Sequence, residues 1–153
     1  MALYLVQHGK SLPKAADPGQ GLSQEGIAET RRMAEVASGY GVAVRAIHHS
    51  PKDRARQTAE IFADALSPPG GIRQIEGIKP MDDVTAIAPT LTPEADLMLV
   101  GHLPFMARMA AYLVAGRTEP SIFRFQNSGI VCLDRQPDEK NWQINWTLMP
   151  KVG

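Results

Sequence analysis

The sequence predicts an α/β fold, a three-layer α/β/α sandwich around a mostly parallel sheet with an antiparallel edge. Three observations carry this. Residues 2–7 form a near-continuous apolar run, the mark of a strand buried on both faces. Helical and strand-like patterns then alternate along the chain, which favours parallel pairing. The last two strand-like stretches, 129–134 and 142–148, follow one another with no helix between them, so they read as an edge hairpin.

Taken in order, residues 2–7 are the first strand. A polar loop covers 11–21. Ser23 then offers an N-cap, with Glu25 in the first turn. Ile27, Thr30, Ala34 and Ala37 recur at helical spacing to about Ser38, and Gly39 and Gly41 end the helix. A short second strand follows over 44–48. Ser50-Pro51 opens the next helix, with Ser50 as cap, Pro51 in its first position and Asp53 as capping partner. That helix runs to about Leu66, before Pro68-Pro69. Residues 72–75 form a third strand, and 83–88 a short helix capped by Asp82. Residues 96–100 are a further strand. Gly101-His102 is a turn, and Pro104 starts a helix with Phe105, Met109, Ala110 and Leu113 as its apolar stripe. Trp142 and Trp146, four apart on the last strand, are expected on one face.

The 153 residues suit one domain, and 44% hydrophobic content supplies a core. Formal net charge is zero, so no nucleic-acid partner is expected. No apolar run approaches the roughly 20 residues that span a bilayer, so no membrane partner is expected. Residues 1–6 are too short for a secretory h-region. The single cysteine, Cys132, has no internal partner and sits among Ile130, Val131 and Leu133, as a buried strand residue would. A reducing, cytoplasmic setting fits. Oligomeric state is open.

In an open α/β sheet, ligands bind beyond the carboxyl ends of the strands. That rule picks out Gln7-His8-Gly9, His49-Ser50 and Gly101-His102. Arg54, in the first turn of the Ser50 helix, lies close to the same edge. The helix starting at Pro104 adds free N–H groups beside His102. Imidazoles, a guanidinium and a helix N-terminus together make a phosphate site with a nucleophile. Imidazole, with an ordinary pKa of about 6.5, is mostly unprotonated at neutral pH and can accept a phosphoryl group. The other groups neutralise the phosphoryl oxygens and hold the geometry in line. Adjacent His48 and His49 point to opposite faces, and no metal-ligand spacing such as HExxH is present, so no metal and no cofactor is expected. P-loop, GxGxxG and GxSxG patterns are absent.

These residues resemble the histidine phosphatase superfamily, which includes the phosphoglycerate mutases. Leu5-Val6-Gln7-His8-Gly9 is similar to its RHG motif. Ser50-Pro51-Lys52-Asp53-Arg54-Ala55-Arg56-Gln57-Thr58-Ala59 is similar to its SPxxRAxQTA motif, and Leu99-Val100-Gly101-His102-Leu103-Pro104 to the segment around its second histidine. The Gly-Leu-Ser-Gln-Glu-Gly run at 21–26 resembles its PLTxxG segment. Short length and the lack of an inserted lid resemble the SixA-type phosphohistidine phosphatases. The resemblance implies a phosphoglycerate mutase-like fold over 1–153 as a single histidine phosphatase domain. It implies His8 as phosphoryl acceptor, and Arg54 and His102 as phosphate ligands that stabilise the transition state. Gln7 and Gly9 belong to the phosphate-binding loop. The general acid would be Asp82 or Asp83, between which the alignment does not choose, and each also reads as a helix cap. The partner implied is a phosphorylated protein in signal transduction.

The family has arginine where this chain has Gln7. Glutamine donates hydrogen bonds but makes no charged fork, and losing one preorganised donor costs about 10² to 10³ in rate. Lys10 either restores that charge or is an ordinary exposed lysine. Arg56 and Arg108 read as surface charges, and Asn127-Ser128 as a loop cap or a ligand contact. Three functions stay open at this point: a phosphohistidine phosphatase, a phosphatase of a small phosphomonoester, and a non-catalytic phosphate- or phosphoprotein-binding domain.

Overall fold

A computed structural model describes residues 1–152 of this chain. Six strands form one sheet: β1 (Leu3–Gln7), β2 (Ala46–His49), β3 (Ile72–Gln74), β4 (Leu97–Gly101), β5 (Ile130–Asp134) and β6 (Gln143–Leu148). Their spatial order is β3-β2-β4-β1-β5-β6. The first four are parallel, and β5 and β6 run antiparallel at one side. Four helices connect them: α1 (Gln24–Gly39), α2 (Asp53–Leu66), α3 (Val84–Ile87) and α4 (Phe105–Ala115).

Strand alternation divides the core between two faces. Tyr4, Val6, Met98 and Val100 join Met33, Ala34, Ala37, Ala55, Ala59 and Phe62 on the α1/α2 side. Leu3, Leu5 and Leu99 join Val84, Phe105, Met106, Met109 and Leu113 on the α3/α4 side. In α2 the buried positions Ala55, Thr58, Ala59 and Phe62 follow the i, i+3, i+4, i+7 rule, which fixes the face this helix buries. Phe62 is fully buried, and truncating it to alanine costs about 3–5 kcal/mol. Cys132 is buried in β5, and burial pushes its thiol up to about 12.

The α1 cap falls on Ser23, whose Oγ accepts from the Gly26 N–H at 3.0 Å. Three expectations are corrected. Asp83, not Asp82, caps α3, accepting from the Thr85 N–H at 2.9 Å. The N-cap of α2 is Lys52, with no side-chain cap, because the Ser50 hydroxyl is engaged elsewhere. Trp142 and Trp146 lie on opposite faces: Trp142 packs in the α3/α4 core, while Trp146 packs against Tyr4 at 6.0 Å. Cys132 pairs with Trp146 but Leu133 with Ile144, so Asn145 is an extra residue in β6 and inverts the face beyond it.

β1 and β4 lie side by side. The chain leaves β1 through α1 toward one side of the sheet and leaves β4 through α4 toward the other. This is a topological switch point, and the crevice it opens lies past Gln7 and Gly101. No helix among the described residues is long and apolar enough to cross a membrane.

Candidate active site

His8 follows the last residue of β1, and its backbone N–H donates to Gly101 O at 2.9 Å, so the two histidine-bearing strand ends are tied together. Its ring is half-buried. Nδ1 lies 2.7 Å from the Gly9 carbonyl, and Nε2 lies 3.3 Å from Arg54 Nε. A carbonyl only accepts and a guanidinium only donates. The bonds therefore assign the proton to Nδ1 and leave the Nε2 lone pair facing the arginine. Burial, helped by the Arg54 charge and opposed by the Gly9 carbonyl, lowers the His8 pKa.

His102 sits past β4 with its ring centroid 5.1 Å from that of His8. It is buried, and its Nε2 lies 2.5 Å from Ser50 Oγ. That oxygen also accepts from the Lys52 N–H at 3.3 Å, so its own proton is available to Nε2. The neutral ring then carries its hydrogen on Nδ1, a buried atom with no partner in the protein. Burial first, then the charges of His8, Arg54 and Lys52, pushes the His102 pKa down to about 3. The structure thus gathers His8, Arg54 and His102 at one point.

A model of the histidine phosphatase superfamily (branch 1) matches residues 3–82. This chain belongs to that superfamily. It is 31% identical over 156 residues to the phosphohistidine phosphatase SixA of Escherichia coli strain K12, covering 98% of this chain and 94% of the relative. An uncharacterized protein of Picosynechococcus is 32% identical over 142 residues, covering 87% and 84%. A solved structure of the protein histidine phosphatase SixA complexed with tungstate superposes with a TM-score of 0.84 at 28% identity, covering 98% of this chain and 97% of that one.

The superfamily motifs are held by contacts that span the sequence. Gly9 N donates to Thr58 Oγ1 at 2.8 Å, and Thr58 Oγ1 donates to Arg54 O at 2.7 Å, so one hydroxyl links the His8 loop to the Arg54 turn. Gln57 Oε1 accepts from Leu22 N at 2.7 Å and fixes the returning loop. Gly9 has no room for a side chain: a Cβ there would lie 2.6 Å from Thr30 Oγ1 and 3.1 Å from Ser128 Oγ. At Gly26, a Cβ would meet the Lys10 carbonyl at 2.1 Å, so this glycine lets the loop pass over the start of α1.

The remaining residues fall as follows. Gln7 Oε1 is buried and has no partner. Lys10 is exposed and bonded to Glu25 at 2.8 Å, so its charge is neutralised on the surface. Arg56 pairs with Glu60 at 2.7 Å and Asp53 at 3.5 Å, and Arg108 with Glu119 at 3.6 Å. His49 is buried, its Nδ1 bonded to Ser50 O at 2.8 Å. Asp82 Oδ2 accepts from Lys79 N at 2.9 Å, and Asp83 Oδ1 is spent on Thr85. Those Thr85 bonds lower the Asp83 pKa, which makes it a poorer proton donor.

Asn127-Ser128 takes the loop-capping role that the sequence allowed, whereas the role of Ser50 escaped it. Asn127 Nδ2 donates to His8 O at 2.8 Å across 119 positions, and Ser128 N donates to Gln7 O at 2.9 Å. Ser50, read as a helix cap, is the partner of His102. No local pattern marks the Ser50 role.

Proposed function

We propose that this chain, as one domain over residues 1–153, is a phosphohistidine phosphatase. His8 Nε2 takes the phosphoryl group from a phosphorylated protein, and water then releases it as inorganic phosphate. The observation that carries this is the imidazole tautomer: with Nδ1 bound to the Gly9 carbonyl, the lone pair at Nε2 stands beside Arg54. In the first step the Nε2–P bond forms as the substrate P–N bond breaks, and the leaving imidazole takes up a proton from solvent water. In the second, water attacks phosphorus and His8 leaves. Arg54 and the His102 Nδ1–H bind the phosphoryl oxygens, and Gln7 adds its amide. Such fixed donors act where charge develops.

The state of the carboxylates supports the phosphoramidate over a phosphomonoester. Asp82 and Asp83 both hold local backbone bonds. A leaving imidazole has a pKa near ambient pH and demands little of an acid, whereas an alkoxide needs full protonation. The Escherichia coli relative is named for this reaction. The same reading places the protein in the cytoplasm, in histidine-based signalling, where its lone buried thiol Cys132 is at home.

The test is phosphate release from a phosphohistidine peptide by the wild type and His8→Ala. Release by the wild type alone, with an acid-labile phosphoenzyme trapped on His8, is the expected result. Binding of the peptide without release by either protein would replace the enzyme reading with that of a phosphoprotein-binding domain.

A further inference from the structure

A cavity of about 370 Å³ opens beside the candidate active site, lined by Leu103, Ala107, Ser121, Ile122, Phe123, Arg124 and Phe125. Its place in the fold ties it to the chemistry. Leu103 directly follows His102, and Ala107 is in the first turn of α4. The opposite wall, 121–125, runs without interruption into Asn127 and Ser128, which hold the carbonyls of His8 and Gln7. Groove and nucleophile loop therefore share one backbone segment.

The lining is apolar where it is open. Leu103 is 38% exposed and Ile122 39%, and they line the same cavity, so together they form an exposed apolar patch. Phe123 and Phe125 meet edge to face at 5.6 Å and stiffen the wall. Ala107 is a small lining residue, and the cavity has room for an aliphatic or aromatic side chain. The free charge at the groove is positive: Arg124 stands in the wall with no carboxylate partner among the described residues, whereas Arg108, next to Ala107, is paired with Glu119 at 3.6 Å.

We infer that this groove is the docking site of the phosphohistidine protein, taking an apolar side chain flanked by carboxylates on the segment that carries the phosphohistidine. This rests on the phosphohistidine reading above. A protein substrate whose phosphoryl group reaches His8 must cover the surface around it, and the groove is the apolar part of that surface. The unpaired Arg124 matches an acidic neighbour on the partner. An apolar side chain seated in such a pocket is worth about tenfold or more in kcat/KM.

The experiment uses phosphohistidine peptides that carry Leu between two Glu at successive positions around the phosphohistidine. Matched peptides carry Ala between two Lys, and phosphoramidate serves as the small donor. The wild type is expected to favour the Leu/Glu peptide at one position by about tenfold in kcat/KM. Ala107→Phe, which fills the groove, and Ile122→Asp, at an exposed position, should abolish the preference through KM while phosphoramidate turnover stays within about twofold. Equal turnover of both peptide series by the wild type overturns the inference. So does a preference that survives in both variants, or a parallel loss on peptide and phosphoramidate, which would place the groove's effect on the His8 loop instead. A wild type that hydrolyses phosphoramidate but discriminates no peptide sinks the groove alone, whereas one that hydrolyses neither substrate sinks the phosphohistidine reading and the groove with it.

Discussion

Ser50 Oγ stands 2.5 Å from His102 Nε2, both side chains buried, across 52 positions of sequence. The serine fixes the imidazole plane and its tautomer, so that the hydrogen sits on Nδ1. Ser50→Ala leaves a buried ring nitrogen unpaired, at a cost of about 1–3 kcal/mol. The expected outcome is a kcat lower by about tenfold or more on a phosphohistidine peptide, with Ser50→Thr restoring most of it. A Thr variant as slow as Ala would show that the side-chain volume, not the hydroxyl, is what matters.

The depressed histidines set a pH dependence. His8 lies below 6.5 and His102 at about 3, both chiefly through burial. Between those values and the ordinary 6.5, the unfolded chain binds protons that the folded chain refuses. Stability is therefore full above about pH 6.5 and is lost as pH falls toward the folded value, by up to about 1.4 kcal/mol per pH unit for His102. Urea midpoints at pH 7 and pH 5 should drop for the wild type and drop less for His102→Asn. The acid limb of kcat/KM should also fall below 6.5, since His8 stays unprotonated there. Identical midpoint shifts in wild type and variant would remove His102 as the source.

The legible part of this molecule is the part whose signals are local. The apolar run of β1, the Ser23 cap of α1 and the Pro68-Pro69 stop after α2 act within a few residues, so the sequence reveals them. The strand-end rule likewise led to His8 and His102 without any contact being known. What stayed hidden depends on pairing across the fold. Ser50 looks like a cap because a serine before a helix usually is one, yet a buried imidazole competes for its hydroxyl and wins. Asn145 leaves no trace as a bulge until β5 fixes the register, and the faces of Trp142 and Trp146 follow from that register. Asn127 serves a carbonyl 119 residues away.

The two neighbouring carboxylates hold different backbone groups, Asp82 the Lys79 N–H and Asp83 the Thr85 N–H. Asp83 caps α3 through the Thr85 N–H, so Asp83→Ala should lower stability by about 1 kcal/mol. For a 153-residue chain this is a fall in Tm of about 2–4 °C. Turnover of a phosphohistidine peptide by Asp83→Ala and Asp82→Asn should stay within about threefold of wild type, because the leaving imidazole needs little acid catalysis. A drop of about a hundredfold in either variant would identify that carboxylate as the general acid, since proton transfer contributes on that scale.

Gln7 offers a gain-of-function test. Its Oε1 is buried without a partner, and the superfamily pattern has arginine at this position. The other cation in the loop, Lys10, is directed to Glu25 at 2.8 Å on the surface. A guanidinium at position 7 would replace an unsatisfied acceptor with a charged donor beside the phosphoryl group, and charge-assisted bonds are about twice as strong as neutral ones. Gln7→Arg should therefore tighten competitive inhibition by inorganic phosphate by about tenfold, one such interaction of about 1.4 kcal/mol, and raise kcat/KM for phosphoramidate in parallel. Gln7→Ala should lose affinity. If Gln7→Arg binds phosphate more weakly than wild type while keeping its Tm, the loop has repacked around the smaller amide, and this chain is tuned to work without the second guanidinium.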